Sequence, residues 1–148
     1  MAKQKFHKKT YDAWWAMRRR CNDPTFSRYN DWGGRGITCD QSWNDFYVFL
    51  TDMGEAPEGH SLDRRDNDGP YNKENCRWTT RSQQAINTRV RSDNSSGTTG
   101  VHFIPYRNKW MARISIDGKR IHLGDFSTKE EAIAARLQAK AVLVKDIY

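Results

Sequence analysis

The sequence predicts an α+β protein built of two small units, and three observations indicate this. Two short runs that can pair as strands flank the turn signal Asn67-Asp68-Gly69 and lead into a polar, helix-forming run. Apolar residues at helical spacing precede this hairpin. After residue 97 the pattern changes to period-2 alternation in three runs, followed by one amphipathic helix. A chain of 148 residues suffices for two such units, each with a limited core.

The N-terminal end is strongly basic. The first 22 residues hold seven lysines or arginines against one aspartate, and the whole chain carries a net charge of +7. Such a concentration of cations is typical of a surface that binds phosphates, and a solvated basic helix face is the alternative. Residues 1 to 9 contain few apolar side chains and are predicted to be disordered until a nucleic acid is bound.

Two amphipathic helices are predicted before the hairpin. The first is capped by Thr10 and ends at Asn22-Asp23-Pro24, and the second is capped by Ser42 and ends at Gly54. Their apolar faces comprise Tyr11, Trp14, Met17 and Cys21 in the first helix and Trp43, Phe46, Leu50 and Met53 in the second. Between the helices, three glycines surround Arg35, which indicates a tight connection rather than a phosphate-binding loop.

The stretch from His60 to Arg89 is predicted to form strand, turn, strand and helix. Asp68-Gly69 supplies the positive φ angles that a tight hairpin turn needs. Thr80 and Gln83 have the spacing of a capping box, and the run that follows contains no helix breaker. We therefore expect the hairpin to continue directly into a helix.

The second unit is predicted to be a three-stranded antiparallel sheet covered by one helix. Residues 92–96 have the composition of a flexible linker and divide the chain into 1–91 and 97–148. The predicted strands are 100–104, 110–116 and 120–123, with Asp117-Gly118 as a hairpin turn. The helix starts with a capping box from Ser127 to Glu130, and its apolar stripe comprises Ile133, Leu137, Ala141 and Val144.

The cysteines argue for a reducing compartment. Cys21, Cys39 and Cys76 are an odd number at wide spacings, which disfavours a disulfide framework. A structural zinc ion held by these thiols and His60 is less favoured than three free thiols, because the sequence has no Cys-x-x-Cys pair. The sequence has no run of about 18 apolar residues and no signal-peptide core, so we expect no membrane association and a cytoplasmic protein.

The hairpin carries a longer motif than its turn requires. It reads Leu62-Asp63-Arg64, then Asp66-Asn67, Gly69 and Tyr71, and ends in Asn75-Cys76-Arg77-Trp78. This motif resembles the ββα-metal core of the HNH nucleases, and pieces such as Gly-Gly-Arg-Gly-Ile and Asp-Met-Gly extend the resemblance over about residues 10–90. The resemblance implies a DNA endonuclease that hydrolyses a phosphodiester with Mg²⁺ or Mn²⁺.

The same resemblance implies the residues of the site. Asp63, at the end of the first strand, is implied as a metal ligand, and an amide on the helix, Gln84 or Asn87, completes the site. Asn75 is implied to brace the hairpin and its loop through its amide. The candidate catalytic residues are therefore Asp63, Arg64, His60 and Asn75, and the candidate metal ligands are Asp63, Asn87 and Gln84.

One of these positions departs from the family pattern. The usual HNH nuclease has a histidine general base after the acidic ligand, whereas this chain has Arg64, which has no acceptor and does not deprotonate. Either another group takes the proton, or the metal ion lowers the pKa of water sufficiently by itself. The candidate groups are His60, His7, Tyr11 and Tyr29.

The second unit also resembles a known family. Gly-Val-His, Lys-Trp-Met-Ala-Arg-Ile and Gly-Lys-Arg-Ile-His-Leu-Gly-Asp-Phe resemble the AP2 DNA-binding domain, which implies that the uncovered sheet face enters the major groove of double-stranded DNA. Alternation supports this face independently, because Arg113 and Ser115 point to one side and Ile114 to the other. The candidate DNA-binding residues of the whole chain are Arg18, Arg19, Arg35, Arg65, Arg77, Arg81, Arg89, His102, Arg107, Lys109, Arg113, Ser115, Lys119, Arg120 and His122.

Together the resemblances imply a DNA endonuclease of the homing or mobile-intron kind, as found in phage and bacterial genomes. Two alternatives stay open. One is a DNA-binding regulator whose nuclease unit is inactive, which Arg64 favours, and the other is a restriction or branched-DNA nuclease. The sequence is consistent with either nicking or double-strand cleavage of DNA. It is also consistent with either a monomer or a homodimer.

Overall fold

The computed structural model describes residues 7–145, with side chains as far as residue 143. Within these residues there are four α-helices and two antiparallel sheets, of two and three strands, which confirms the α+β class. The chain divides into two compact units between Arg81 and Ser82. The predicted linker at 92–96 stays a prediction. Every helix in the described part of the chain falls short of the length and hydrophobicity needed to cross a membrane.

The first helix, α1 (Lys8–Asn22), begins earlier than the sequence predicts. The prediction that Thr10 caps it is wrong, because Thr10 is buried inside α1, where its hydroxyl accepts a hydrogen bond from the backbone N–H of Ala56 (2.9 Å). The helix ends before Asp23-Pro24, as predicted. The predicted disorder of residues 1 to 9 is wrong for Lys8 and Lys9, which are helical, and residues 1–6 lie outside the described part.

Two aspartates, rather than Ser42, cap the next segment. Asp40 caps a short 3-10 turn, and its carboxylate accepts a hydrogen bond from the N–H of Ser42 (2.9 Å). Asp45 then caps helix α2 (Phe46–Met53) through the N–H of Tyr47 (2.7 Å). The 3-10 turn and helix α2 each begin with backbone N–H groups that have no partner within the helical segment. Each therefore needs its own side-chain acceptor. Helix α2 ends at Gly54, whose φ is +67°, as predicted.

The predicted order of strand, turn, strand and helix is confirmed. Strand β1 (His60–Arg64) pairs antiparallel with β2 (Cys76–Thr80), and helix α3 (Arg81–Ile86) follows at once. The predicted tight turn is wrong, because residues 65–75 form a long loop and neither Asp68 nor Gly69 has a positive φ.

The core of the first unit is rich in tryptophan. Trp14, Trp43 and Trp78 pack with residues of α1, α2 and the hairpin, and Met17, Trp43 and Phe49 are almost completely buried. Each of these three indole N–H groups has an acceptor: the Trp43 carbonyl for Trp14 (2.7 Å), the Asp52 carboxylate for Trp43 (2.9 Å) and the Met53 carbonyl for Trp78 (2.7 Å). These bonds let large aromatic groups be buried without leaving a polar atom unsatisfied.

The second unit has the predicted sheet. Strands β3 (Val101–Ile104), β4 (Lys109–Ile116) and β5 (Lys119–Phe126) pair antiparallel in that order. Asp117 and Gly118 have φ angles of +49° and +76°, which confirms the predicted turn between β4 and β5.

The last helix, α4 (Lys129–Lys145), packs on the sheet through a face that matches the predicted stripe only in part, because Ile133 packs against the core as predicted. Its capping box joins Thr128 and Glu131, one residue later than predicted. Ala132 is fully buried against Val101 and Ala112, whereas Leu137 is 53% exposed. Small side chains let the helix approach the sheet closely, so the buried face is centred on alanine rather than on the larger apolar residues.

Candidate functional site

The two faces of the hairpin separate the predicted catalytic residues. Asp63 lies opposite Arg77 in the strand register. His60 and Arg64 lie on the other face of β1 with Leu62, which packs against the core, because side chains alternate along a strand. The structure therefore brings Asp63 together with Arg77 and separates it from His60 and Arg64.

Asp63 and Arg77 form a largely buried ion pair. Nε and Nη2 of Arg77 each lie 3.3 Å from Oδ2 of Asp63, and the two side chains are 12% and 13% exposed for Arg77 and Asp63 respectively. The pair thus presents a carboxylate and a guanidinium side by side, which can contact a cation and a phosphate respectively.

Arg64 is part of the loop rather than of the Asp63 face. Its side chain is buried, its Nη1 donates to the carbonyl of Gly69 (2.7 Å), and its guanidinium lies 4.7 Å from the centre of the Tyr71 ring. A buried arginine has to satisfy its donors within the protein, and these contacts do so in part. Arg64 is thereby placed where it holds the loop 65–75 against the core.

Asn75 braces the same loop with its whole amide. Its Oδ1 accepts a hydrogen bond from the N–H of Asp66 (2.9 Å), and its Nδ2 donates to the carbonyls of Asp66 (3.1 Å) and Pro70 (2.7 Å). The bracing role implied for Asn75 is confirmed by these three bonds. Gly69 is required for the same reason, because a Cβ there would lie 2.8 Å from Nδ2 of Asn75.

Arg35 holds the tip of the loop. It forms an ion pair with Asp68, and its Nη2 donates to the carbonyl of Asn67 (2.9 Å). Close packing explains Gly33 and Gly34, since a Cβ on Gly33 would lie 2.2 Å from the carbonyl oxygen of Cys21, whereas Gly36 is explained by its φ of +91°. The loop that follows Asp63 is therefore held by Asn75, Arg64 and Arg35 together.

All four candidate proton acceptors have contacts within the first unit. Nδ1 of His60 lies 2.8 Å from the carbonyl of Glu58. Tyr11 packs with Trp14 and Phe46, at ring-centre distances of 5.2 and 5.1 Å. Tyr29 packs close to Gly33, and His7 lies 3.1 Å from the Glu55 carboxylate. The identity of the proton acceptor stays a prediction.

The remaining predicted arginines of α1 and the hairpin fall into two groups. Nη1 of Arg18 donates to the carbonyl of Asn44 (3.2 Å), and Nε of Arg19 lies 3.2 Å from the Asp23 carboxylate, so both are held by the protein. Exposed positions are Arg65 and Arg81 in the first unit and Arg89 in the second.

The predicted amide ligands lie one turn apart in the second unit. Gln84 is in α3, and Asn87 follows the helix and donates its backbone N–H to the Gln84 carbonyl (3.0 Å). In residues 7–145 no group of three or more histidine, cysteine, aspartate or glutamate side chains is arranged to hold a metal ion, and all three cysteines are free thiols. A zinc site of three thiols and His60 would belong to this kind of group. The proposed site of one carboxylate and one amide would not, because it has fewer than three such side chains.

The second unit places six of its predicted DNA-binding residues on one sheet face. Arg113 pairs with His122 and Ser115 with Arg120 across β4 and β5, and both pairs alternate with the buried residues Ala112 and Ile114. The same alternation puts His102 and Lys109 on this face. We call the face that carries His102, Lys109, Arg113, Ser115, Arg120 and His122 the basic sheet face.

The sequence did not reveal that Asp125 also lies on this face. A bulge between Ala112 and Arg113 shifts the register, so Asp125 pairs with Met111 and faces outward. Its carboxylate lies 2.9 Å from Nη1 of Arg107 and 3.4 Å from Nε2 of His122. Simple alternation from His122 would place Asp125 under the helix. Gly124, which lies in β5 beside the register shift with a φ of +141°, is the signal in the sequence that could have indicated the bulge.

The pKa of His102 is lower than that of an ordinary histidine, first because of its burial and second because of the nearby Arg113 cation. The unfolded chain therefore binds a proton at His102 more readily than the folded chain. We expect the second unit to lose stability as the pH falls below about 6.5, the ordinary histidine pKa. His102→Gln, which cannot titrate, is expected to remove this part of the loss in thermal melts followed by circular dichroism between pH 5 and 7.5. An unchanged pH slope in the variant would contradict this expectation.

Comparison of the chain with protein-family models, with curated proteins and with solved structures found no match. The resemblances to the HNH nucleases and to the AP2 domain therefore rest on the sequence motifs of this chain alone.

Proposed function

We propose that this chain is a metal-dependent DNA endonuclease, with an HNH-type ββα-metal unit followed by an AP2-like DNA-binding unit. The observation that carries the proposal is Asp63, a largely buried carboxylate on the hairpin face that Arg77 shares. The loop that follows it is fixed by three side chains, Asn75, Arg64 and Arg35. Such support by several side chains is typical of a functional site, because catalysis or binding requires the functional groups to be held in a fixed geometry.

Asp63 and Arg77 have complementary roles in this proposal. Asp63 would be a ligand of Mg²⁺ or Mn²⁺, and Gln84 or Asn87 would supply the amide ligand that the resemblance implies. When bound, the ion supplies Lewis-acid stabilisation of the phosphate and of the leaving 3′ oxygen. Arg77 keeps the Asp63 carboxylate oriented, and its guanidinium places a positive charge beside the position proposed for the phosphate.

The partner proposed for the second unit is double-stranded DNA. The basic sheet face presents lysine, arginine and histidine side chains on the side of the sheet opposite α4, and Lys119 and Arg120 are exposed at the tip of the β4–β5 turn. An arginine such as Arg113 can bond O6 and N7 of guanine together, which discriminates against other bases by about 1–3 kcal/mol. We propose Arg107 and Lys109 as further contacts at the edge of this face.

The proposal gives Asp125 a testable effect on DNA binding. Asp125→Asn removes the negative charge beside Arg107 and His122. We expect it to tighten binding to random duplex DNA a few-fold and to steepen the salt dependence by up to about one unit of slope, because one more cation becomes available to phosphate. Fluorescence anisotropy at several salt concentrations measures both.

Glu130→Gln is the matched control for this experiment. It makes the same change in net charge on α4, where Glu130 is exposed, and not on the basic sheet face. We expect a smaller effect on the salt slope. Equal effects of the two substitutions would show that net charge alone, and not this face, determines binding.

The experiment that tests the activity is cleavage of DNA by the purified chain. Supercoiled plasmid, linear duplex and four-way junction DNA are each incubated with Mg²⁺, with Mn²⁺ and with EDTA. We expect nicking or cutting that requires the divalent ion, and the preferred substrate separates a homing-type enzyme from a branched-DNA nuclease. Tight DNA binding with no cleavage in either metal would overturn the proposal and favour the inactive DNA-binding regulator.

That regulator is the second candidate, and one contact favours it. Asp63 is already ion-paired with Arg77, so a metal ion has to share or displace this cation. Arg64 cannot replace the histidine base, and it is committed to Gly69 and Tyr71. Both observations suit a hairpin that keeps its structure without catalysis, and the metal-dependent assay decides between the two candidates.

A further inference from the structure

A cavity of about 650 Å³ opens beside the thiol of Cys39 in the first unit. Its walls include the amide side chains of Asn22, Gln41 and Asn72. The wall that carries Cys39 is fixed to the loop at Tyr71, whose N–H donates to the Thr38 carbonyl (2.8 Å) and whose carbonyl accepts the Asp40 N–H (2.8 Å). None of the residues that line this cavity belongs to the predicted nuclease site or to the basic sheet face.

Two thiols meet at this cavity. Cys21, in the last turn of α1, is buried in the core cluster against which the partly exposed Cys39 packs, and the two thiols are close enough for each to affect the ionisation of the other. Nδ2 of Asn22 also points to the Cys39 sulfur at 3.7 Å. Cys39 is therefore the member of the pair that an external reagent can reach, and Cys21 lies behind it.

The surroundings favour the thiolate of Cys39 over that of Cys21. The hydrogen bond from Cys21 lowers the pKa of Cys39, with further contributions from Asn22 and the Arg18 cation, although burial opposes them. The pKa of Cys21 is raised by the same bond and by burial. Burial also raises the pKa of Cys76 to about 12. Because the thiolate is the nucleophile, Cys39 is expected to be the most reactive thiol.

We propose that Cys39 and Cys21 form a peroxide-reactive dithiol, in which Cys39 reacts with a small hydroperoxide in the cavity and Cys21 then closes a disulfide. In the first step the Cys39 thiolate attacks one peroxide oxygen, the O–O bond breaks, and a sulfenic acid forms while the leaving oxygen takes up a proton. In the second step the Cys21 sulfur attacks the Cys39 sulfur, the S–O bond breaks, and the Cys21 proton leaves with the hydroxyl as water. With hydrogen peroxide, two thiols are oxidised and one peroxide is reduced to two waters.

The disulfide would tie the end of α1 to the segment that pairs with Tyr71. This segment adjoins the loop that Arg64 and Asn75 hold, so the oxidised form has an additional constraint beside the loop. A cross-link between residues 21 and 39 restricts the unfolded chain and raises the unfolding temperature of the first unit. Cys39 can thus report peroxide through the stability of this unit, whatever reaction the unit catalyses.

The test uses the full chain and hydrogen peroxide, with alkylation of the remaining thiols and mass spectrometry of the peptides. We expect a loss of about 2 Da, a linked pair of peptides containing Cys21 and Cys39, and an unmodified Cys76. Cys76→Ser is expected to react at the wild-type rate. Cys21→Ser is expected to stop at the sulfenic acid of Cys39, trapped with dimedone, and Cys39→Ser to leave Cys21 reduced.

A second measurement uses only the wild-type protein, so it does not depend on whether a variant folds. In the folded wild-type protein, iodoacetamide is expected to label Cys39 at least about 10-fold faster than Cys76, and the two rates should converge in urea. Equal rates in the folded protein would overturn the proposal. Oxidation of Cys76 at a rate comparable to that of Cys39, or oxidation of Cys21 in the Cys39→Ser variant, would do so as well.

Discussion

Asp63→Asn is expected to lower the rate of metal-dependent DNA cleavage by at least about 100-fold, because losing a ligand costs at least as much as losing an outer-shell partner. The asparagine has nearly the shape of the aspartate and keeps an oxygen that can accept from Arg77, which lies 3.3 Å away in the native protein. The substitution therefore removes charge from the proposed metal site without opening a space in the hairpin. DNA affinity, measured in EDTA, should not fall, and it should rise by no more than a few-fold, because the Arg77 cation is no longer paired with a carboxylate.

Asp66→Asn is the matched control for Asp63. It makes the same chemical change in the loop 65–75, and its side-chain oxygen can still accept the N–H of Asp68, which the native carboxylate accepts at 2.9 Å. We expect it to retain most of the cleavage activity. Equal losses in both variants would mean that cleavage depends on the net charge of the hairpin, and the assignment of Asp63 as a metal ligand would fail.

The same cleavage assay distinguishes Gln84 from Asn87 as the amide ligand of the metal ion. Gln84→Ala and Asn87→Ala each remove one candidate ligand, and we expect one of them, not both, to raise the concentration of Mg²⁺ needed for half-maximal cleavage by about 10-fold or more. The other variant should behave as the wild type. If neither shifts the metal requirement, the amide ligand that the resemblance implies is absent from this chain.

Local patterns predicted the hairpin well, but not the loop between its strands. The strand and helix order follows from short-range alternation and spacing, and β1, β2 and α3 lie where these signals place them. The loop is instead determined by contacts between distant residues, such as Arg35 with Asn67 and Arg64 with Tyr71. Asp68-Gly69 has the composition of a tight turn, yet tertiary contacts hold it in another conformation, as they often override local preference.

The candidate site shows the same division. The resemblance supplied Asp63 and Asn75, but not the ion pair of Asp63 with Arg77, which depends on the register of the hairpin. A register can be counted from a turn only when the turn is short, and this loop has eleven residues, 65–75. In the second unit the bulge beside Ala112 likewise moved Asp125 to the outer face. Irregular backbone is where sequence alternation ceases to be informative.

Asn75→Ala is expected to destabilise the first unit by about 2–3 kcal/mol, since it removes three hydrogen bonds that are each worth about 0.5–1.5 kcal/mol. Five of the six tryptophans lie in the first unit, so urea unfolding followed by tryptophan fluorescence reports mainly on it. Asn72→Ala, which removes only the acceptor of the Asn75 N–H (2.8 Å), should cost about 1 kcal/mol.

The two asparagines together test whether the loop geometry, and not only its stability, matters for the proposed site. In conditions where both variants are fully folded, Asn75→Ala should reduce cleavage about 10-fold or more, because the loop after Asp63 loses its brace, whereas Asn72→Ala should stay within a few-fold of the wild type. A folded Asn75→Ala protein with full activity would show that the brace serves stability alone. An Asn75→Ala protein whose free energy of unfolding is within about 0.5 kcal/mol of the wild-type value would contradict the role of these three bonds in holding the loop.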